Sequence, residues 1–178
     1  TVLSAFVYEA ASIVPRDGVH LKTSVWRRTP DFSIPSRAKV NGAYVNSVLA
    51  RQDAIDSGYD DCIFLDASGH VAELSAANIF IVRNGTLITP GQNIDILEGI
   101  NRRTVLELAG DLGIPTEERA IDLTELYVAD EVFVTGTSSF LSPVTVIDSR
   151  AIPSDGITKR LKEVYEESGS NINKVLCA

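Results

Sequence analysis

The sequence contains no methionine, a single tryptophan and two cysteines, Cys62 and Cys177. The cysteines lie far apart and form no Cys-x-x-Cys or His/Cys pattern, so we expect neither a disulfide framework nor a bound metal. No apolar run reaches the roughly 18 residues that a membrane-spanning helix needs, and no signal peptide is recognisable. The sequence therefore predicts a protein of the reducing cytoplasm without a membrane partner.

Positive charge is also scarce. Sixteen Lys and Arg residues stand against 24 Asp and Glu residues, which gives a net charge of −8. This balance argues against a broad nucleic-acid-binding surface, although backbone N–H groups can still bind one phosphate. The hydrophobic content of 44% and charged content of 22% are typical of a globular protein that can bury a core.

Periodicity and turn residues predict short strands in clusters, with scattered helices. Strands are predicted over residues 2–9, 19–27, 62–66, 71–74, 78–83, 86–89, 114–120, 131–136 and 144–152. Helices are predicted over residues 41–57, 100–112, 123–129 and 156–169. Because strands and helices do not alternate strictly, the pattern favours the α+β class.

Lys39 is the first candidate for chemistry. It follows a proline-containing loop directly before the helix predicted over residues 41–57. A solvated surface lysine is the ordinary interpretation. The functional one is a lysine that forms a Schiff base, which requires a partly neutral amine. Burial or a nearby cation such as Arg37 can provide this. The Tyr44 phenol could then donate a hydrogen bond to a phenolate-like oxygen.

Glu73 is the second candidate, at the end of the strand predicted over residues 71–74. A solvent-facing carboxylate is the ordinary interpretation, since Glu is seldom buried. The alternative is a carboxylate that keeps a pyridine nitrogen protonated, so that the ring can draw in electrons.

Two further segments could bind an anion. Gly99 precedes the helix predicted over residues 100–112, and Asn101 lies in its first turn. The segment 135–139, rich in hydroxyl groups, follows a buried strand. Free N–H groups at a helix start or a strand-end turn can hold phosphate, but simple capping and ordinary turns explain both patterns as well.

Taken in order, the segments SVWRRTP, IPSRAKVNGAYVNSVLA, VAELSAANIF, ILEGINRRTV and EVFVTGT resemble the large domain of the fold-type IV pyridoxal-phosphate aminotransferases. They are most similar to the branched-chain amino acid aminotransferases. The resemblance covers nearly the whole chain up to about residue 168. It implies one α+β domain over residues 1–178, with a mixed sheet or pseudo-barrel, flanking helices and pyridoxal 5'-phosphate as cofactor.

The resemblance also implies roles at the cofactor ring. Lys39 would be the catalytic lysine that forms the Schiff base. Tyr44 would contact the ring oxygen, Glu73 would pair with the pyridine nitrogen, and Leu97 would back the ring.

Four more roles concern the phosphate and the substrate. Ile100 and Asn101 would hold the phosphate at the helix start, and Thr137 would bind it as well. The backbone of Thr137 and Ser138 would face the substrate carboxylate.

The sequence departs from the family pattern at several positions. Asn101 stands where Thr is usual, Glu98 replaces a common Pro, and Leu74 occupies a usual Gly position, where we expect it to fill space beside the cofactor. The pair Ser139–Phe140 replaces smaller or acidic residues near the substrate pocket.

The implied function is transamination between a branched-chain L-amino acid and 2-oxoglutarate, in a homodimer or higher homo-oligomer. D-amino-acid aminotransferase and aminodeoxychorismate lyase share the fold, the lysine and the glutamate, and a non-catalytic domain of this fold is a further alternative. The family's N-terminal small domain, which supplies a phosphate-binding arginine, is expected to be absent from these residues. We expect the isolated chain to bind the cofactor weakly, to be inactive and to self-associate.

Overall fold

The structure is a computed structural model that describes residue 4 and residues 12–176, with side chains described up to residue 168. Apart from residue 4, the strand predicted over residues 2–9 lies outside the described residues. The strands within the described range are β1 (Val19–Arg27), β2 (Asp61–Leu65), β3 (Val71–Leu74), β4 (Asn78–Arg83), β5 (Thr86–Thr89), β6 (Thr116–Glu118), β7 (Glu131–Gly136), β8 (Phe140–Ile147) and β9 (Arg150–Ala151). The α-helices are α1 (Tyr44–Asp56), α2 (Ile100–Asp111), α3 (Leu123–Leu126) and α4 (Ile157–Leu176).

The strands form one mixed sheet in the order β3-β2-β1-β8-β7-β4-β5-β6, with β9 paired to β8. β1 runs parallel to both β2 and β8, and β5 runs parallel to β6. The remaining pairs are antiparallel. This mixed sheet with helices confirms the predicted α+β class.

Aromatic and aliphatic side chains hold α2 and α4 against the sheet. Phe80 of β4 and Phe133 of β7 stack with ring centroids 5.0 Å apart. Val105 and Ala109 of α2 and Leu161 of α4 belong to the same buried cluster. This packing fixes the position of the first turn of α2, which borders the site described below.

One predicted strand corresponds to two strands in the structure. The strand predicted over residues 144–152 begins earlier, at Phe140, and ends at Ile147. The chain then reverses at Asp148 and Ser149, whose φ angles are 46° and 65°, and returns as β9. Short polar side chains tolerate this left-handed backbone, so the Asp-Ser pair makes a turn where apolar neighbours suggested one strand.

Each segment predicted as a helix contains a helix in the structure, but the ends of these helices differ from the predicted ones. The segment predicted from residue 41 starts as a 3-10 turn, Asn41–Ala43, before α1 begins. The final helix extends past residue 169 to Leu176. None of the helices in the described part of the chain is both long enough and apolar enough to span a membrane.

The apolar side chains of α1 lie mostly on its exposed side. Val45 and Val48 are 65% and 64% exposed, and Leu49 and Ile55 are also exposed. The buried side of the helix consists of the small residues Ser47, Ala50 and Ala54. Small side chains let the helix lie close to the sheet, which leaves an outward α1 face made of Val45, Val48, Leu49 and Ile55.

Candidate active site

A cleft of about 580 Å³ opens between four segments of chain: the loop before α1, the β3–β4 turn, the start of α2 and the β7–β8 turn. Its lining includes all eight residues singled out from the sequence, Lys39, Tyr44, Glu73, Leu97, Ile100, Asn101, Thr137 and Ser138. The structure thus brings every predicted site residue to one place. Their individual roles stay predictions.

Lys39 lies between two short 3-10 turns, Ser36–Ala38 and Asn41–Ala43, in the left-handed conformation with φ 49° and ψ 47°. Residues other than glycine rarely adopt this conformation, and it is found at turns and at functional sites. The side chain is exposed and borders the cleft. Within the described residues its amine makes no hydrogen bond or ion pair, so it is free to bond to a ligand.

Arg37 is engaged elsewhere, although the sequence offers it as a cation beside Lys39. Its Nε lies 2.6 Å from Glu98 Oε1, its Nη1 lies 3.5 Å from Asp31 Oδ1, and its Nη2 donates to the Gln92 carbonyl. Two carboxylates therefore offset its charge. Through these contacts Arg37 ties the Lys39 loop to the segment that leads into α2.

Glu73 is only 5% exposed, which excludes the interpretation as a solvent-facing carboxylate. Its Oε1 lies 2.8 Å from Arg28 Nη2, and its Oε2 accepts a hydrogen bond from Asn78 Nδ2 at 3.0 Å. The Leu97 N–H lies 3.2 Å from both oxygens. Burial raises the pKa of Glu73 to about 7, against the lowering effects of the Arg28 charge and the Leu97 N–H. A further positive group in the cleft would favour the anion.

Arg28 and Asn78, the two side chains that bind Glu73, were not predicted as site residues from the sequence. A signal for Asn78 exists, because it stands five positions after Glu73 across a tight turn. The Leu74 N–H donates to the Ala77 carbonyl at 2.8 Å across this turn, and the Asn78 side chain reaches Glu73. Arg28 has no local signal, because it meets Glu73 only through the sheet order β3-β2-β1.

The start of α2 provides an anion-binding geometry. Gly99 is its N-cap, and the first backbone bond of the helix runs from the Arg103 N–H to the Gly99 carbonyl at 3.1 Å. The N–H groups of residues 100–102 precede that bond, so they are open to an acceptor. The buried Arg102 anchors this turn through Nη2, which lies 2.6 Å from Glu118 Oε2 and 2.9 Å from the Pro90 carbonyl oxygen.

The β7–β8 turn closes the other side of the cleft. The Thr135 hydroxyl donates to the Phe140 carbonyl at 2.6 Å across the turn. A Cβ atom on Gly136 would lie 3.1 Å from the Ala76 carbonyl oxygen, so this turn packs closely against the β3–β4 turn. Thr137 and Ser138 therefore lie beside the β3–β4 turn, which Glu73 and Asn78 flank.

The residues that depart from the family pattern lie in different surroundings. Leu74 is fully buried in the hydrophobic core, so the expectation that it fills space beside a cofactor is wrong. Glu98 borders the cleft, where Arg37 pairs with it. Phe140 is 41% exposed, and the Arg16 guanidinium lies 4.2 Å from its ring centroid.

The cleft offers three chemically distinct groups: a free amine at Lys39, a buried carboxylate at Glu73 and open N–H groups at the start of α2. These suit a ligand that combines an aldehyde, a protonatable ring nitrogen and a phosphate, which is the group set of pyridoxal phosphate. Within the described residues no three His, Cys, Asp or Glu side chains gather as they would around a metal ion.

Known proteins resemble this chain in sequence and in fold. The probable branched-chain-amino-acid aminotransferase of Aquifex aeolicus is 53% identical over 152 residues, which are 83% of this chain and 49% of the relative. The branched-chain aminotransferase of Thermoproteus uzoniensis, crystallised with norvaline, has a TM-score of 0.86 at 44% identity, over 88% of this chain and 52% of that one. The enzyme of Thermobaculum terrenum in its PLP-form has a TM-score of 0.83 at 39% identity, over 86% of this chain and 51% of that one.

This chain spans about half the length of the relatives it matches. The similarity confirms the predicted fold, that of the fold-type IV enzymes. A family model described as amino-transferase class IV matches residues 1–147, which hold every predicted site residue. The chain belongs to the class IV aminotransferase family.

Proposed function

We propose that these residues form the pyridoxal-phosphate-binding domain of a branched-chain amino acid aminotransferase. The observation that carries the proposal is the common cleft of Lys39, Glu73 and the start of α2, because it joins an amine, a buried carboxylate and an anion-binding helix end. Since the chain spans about half of its relatives, the activity is proposed for the full natural chain.

Each residue of the cleft would hold a different part of the cofactor. Lys39 Nζ would bond to the aldehyde carbon, the Tyr44 hydroxyl would donate to the ring oxygen, and Leu97 would pack on the ring. The N–H groups of Ile100 and Asn101, together with Thr137, would hold the phosphate. The backbone N–H groups of Thr137 and Ser138 would bind the substrate carboxylate.

Pyridoxal phosphate, when bound, supplies an aldehyde that bonds to amines and a protonated ring that withdraws electrons from the neighbouring carbon. Lys39 Nζ would give up its bond to the incoming amine, take the proton from the substrate Cα as a general base and, as a general acid, deliver that proton to the carbon that had carried the aldehyde. The Glu73 carboxylate would keep a proton on the ring nitrogen, because a buried anion stabilises a cation at hydrogen-bond distance.

The proposed substrates are a branched-chain L-amino acid and 2-oxoglutarate. The names of the relatives support this choice over D-amino-acid aminotransferase or aminodeoxychorismate lyase, and over a non-catalytic domain. We place the protein in the cytoplasm, because its cysteine usage is that of a protein from a reducing compartment.

Assaying the full natural chain with L-leucine and with D-alanine, each with 2-oxoglutarate, tests the substrate class. We expect kcat/KM for L-leucine to exceed that for D-alanine by about a hundredfold, since a site shaped for one configuration misplaces the Cα proton of the other. A preference for D-alanine would overturn the branched-chain assignment while keeping the family.

We further propose that the chain forms a homo-oligomer through its exposed apolar surface. The outward α1 face carries Val45, Val48, Leu49 and Ile55. The Asn46 amide donates to the Arg27 carbonyl at 2.8 Å, which places the end of β1, with the exposed Val25 and Trp26, beside the first turn of α1. Contiguous exposed apolar surface of this kind is typical of protein–protein interfaces.

The substitution Val48→Glu should dissociate the oligomer, because it places a charge in the centre of the α1 face. We expect sedimentation velocity to show a shift from the dimer or higher species of the wild type to the monomer. Thr124→Glu, which adds the same charge on α3, serves as the control and should leave the assembly intact. A wild-type chain that sediments as a monomer would contradict the proposal.

A further inference from the structure

Asn78 occupies a junction between the two ends of the cleft. It is only 6% exposed, and it is the first residue of β4. Its side-chain nitrogen donates to Glu73 Oε2 at 3.0 Å and to the Leu97 carbonyl at 2.9 Å. One side chain thus touches both the buried carboxylate and the segment that leads into α2.

These contacts form a closed ring of hydrogen bonds. The Leu97 N–H, on the other side of the same residue, lies 3.2 Å from the Glu73 oxygens. Leu97 is therefore held at both its N–H and its carbonyl, by Glu73 and Asn78 respectively. A ring in which each member binds the other two restrains all three positions together.

Gly99 extends this restraint to the helix start. A Cβ atom on Gly99 would collide with Asn78 Oδ1, so the N-cap of α2 lies directly on the Asn78 amide. Asn78 therefore contacts both the Glu73 carboxylate and the residue at which α2 begins. A residue that merely satisfied the hydrogen bonds of Glu73 would need no contact with the N-cap.

We propose that Asn78 is a positioning residue that fixes the spacing between the Glu73 carboxylate and the anion-binding start of α2. This inference rests on the proposed function, in which the carboxylate binds the ring nitrogen of pyridoxal phosphate and the helix start binds its phosphate. Asn78 would match the site to the length of the cofactor, so that both ends bind at once. Loss of its amide should weaken the phosphate interaction although Asn78 is assigned no contact with the phosphate.

The test compares pyridoxal 5'-phosphate with pyridoxal, which lacks the phosphate, in the full natural chain. For each protein, the dissociation constant of pyridoxal is divided by that of pyridoxal 5'-phosphate. This ratio measures how much the phosphate contributes to binding. We expect Asn78→Ala to reduce this ratio about tenfold, the effect of one or two misplaced hydrogen bonds. Glu73→Gln is the matched control, because it changes the ring end while keeping an oxygen that can accept from Asn78. Its ratio should stay within about twofold of the wild type.

Thermal unfolding of each variant establishes that it is folded. If Asn78→Ala unfolds, Asn78→Thr takes its place, because Thr suits a strand and its single hydroxyl cannot bind both partners. The same fall in the ratio is then expected. An unchanged ratio in a folded Asn78 variant, with a wild type that binds both compounds, would overturn this inference alone. A wild type that binds neither compound would overturn the proposed function and this inference with it.

Discussion

Replacing Lys39 with alanine should abolish transamination, with a loss in kcat of about 10⁴-fold or more. The variant loses both the amine that bonds to the cofactor and the group that moves the Cα proton, and no other lysine borders the cleft among the described residues. The fold should be unaffected, because Lys39 is exposed and alanine carries the same Cβ at φ 49°. The measurements are turnover of L-leucine with 2-oxoglutarate, the near-visible absorbance of the lysine-bound cofactor, and thermal unfolding.

Lys159→Ala is the matched control, since it removes an exposed lysine from α4. This variant should keep both the turnover and the absorbance of the wild type. If Lys39→Ala retained the near-visible absorbance, another lysine would carry the cofactor and the assignment would be wrong.

The substitution Glu73→Gln should lower turnover by about 10²–10³-fold while weakening cofactor binding by less than about tenfold. The neutral amide cannot hold a proton on the ring nitrogen, so the ring loses much of its power to withdraw electrons. Binding depends mostly on groups that the substitution leaves in place, namely Lys39 and the start of α2. The measurements are kcat and the dissociation constant of pyridoxal phosphate.

Glu98→Gln provides the comparison for Glu73. Both carboxylates border the cleft, but Glu98 is exposed and pairs with the half-exposed Arg37. An exposed ion pair contributes little, so we expect Glu98→Gln to change kcat by less than about threefold. Equal losses in the two variants would show that Glu73 has no special electronic role.

The fold was predictable wherever local pattern decides the structure. β3, β4, β5 and β7 begin and end where alternation and turn residues predicted. The prediction was wrong around β8, because two residues with positive φ reverse the chain inside an apolar run. Such a turn depends on two short polar side chains, which hydrophobic periodicity does not detect.

The residues of the site were predictable from the sequence, but the surroundings of Glu73 were not. The cleft residues were identified through the family resemblance, and the structure brings all of them together. The environment of Glu73 was not predictable, because its burial and its bond to Arg28 depend on the order of strands in the sheet. The outward α1 face was not predictable either, since the helical spacing of apolar residues does not tell which side of the helix packs against the core.

Borohydride trapping shows whether Lys39 is the residue that bonds to pyridoxal phosphate. The full natural chain is incubated with the cofactor, reduced with borohydride to make the bond permanent, digested, and mapped by mass spectrometry. We expect a phosphopyridoxyl group on the peptide that contains Lys39, and unmodified peptides for Lys22 and Lys159. A modified Lys22 or Lys159 together with an unmodified Lys39 would contradict the assignment of Lys39.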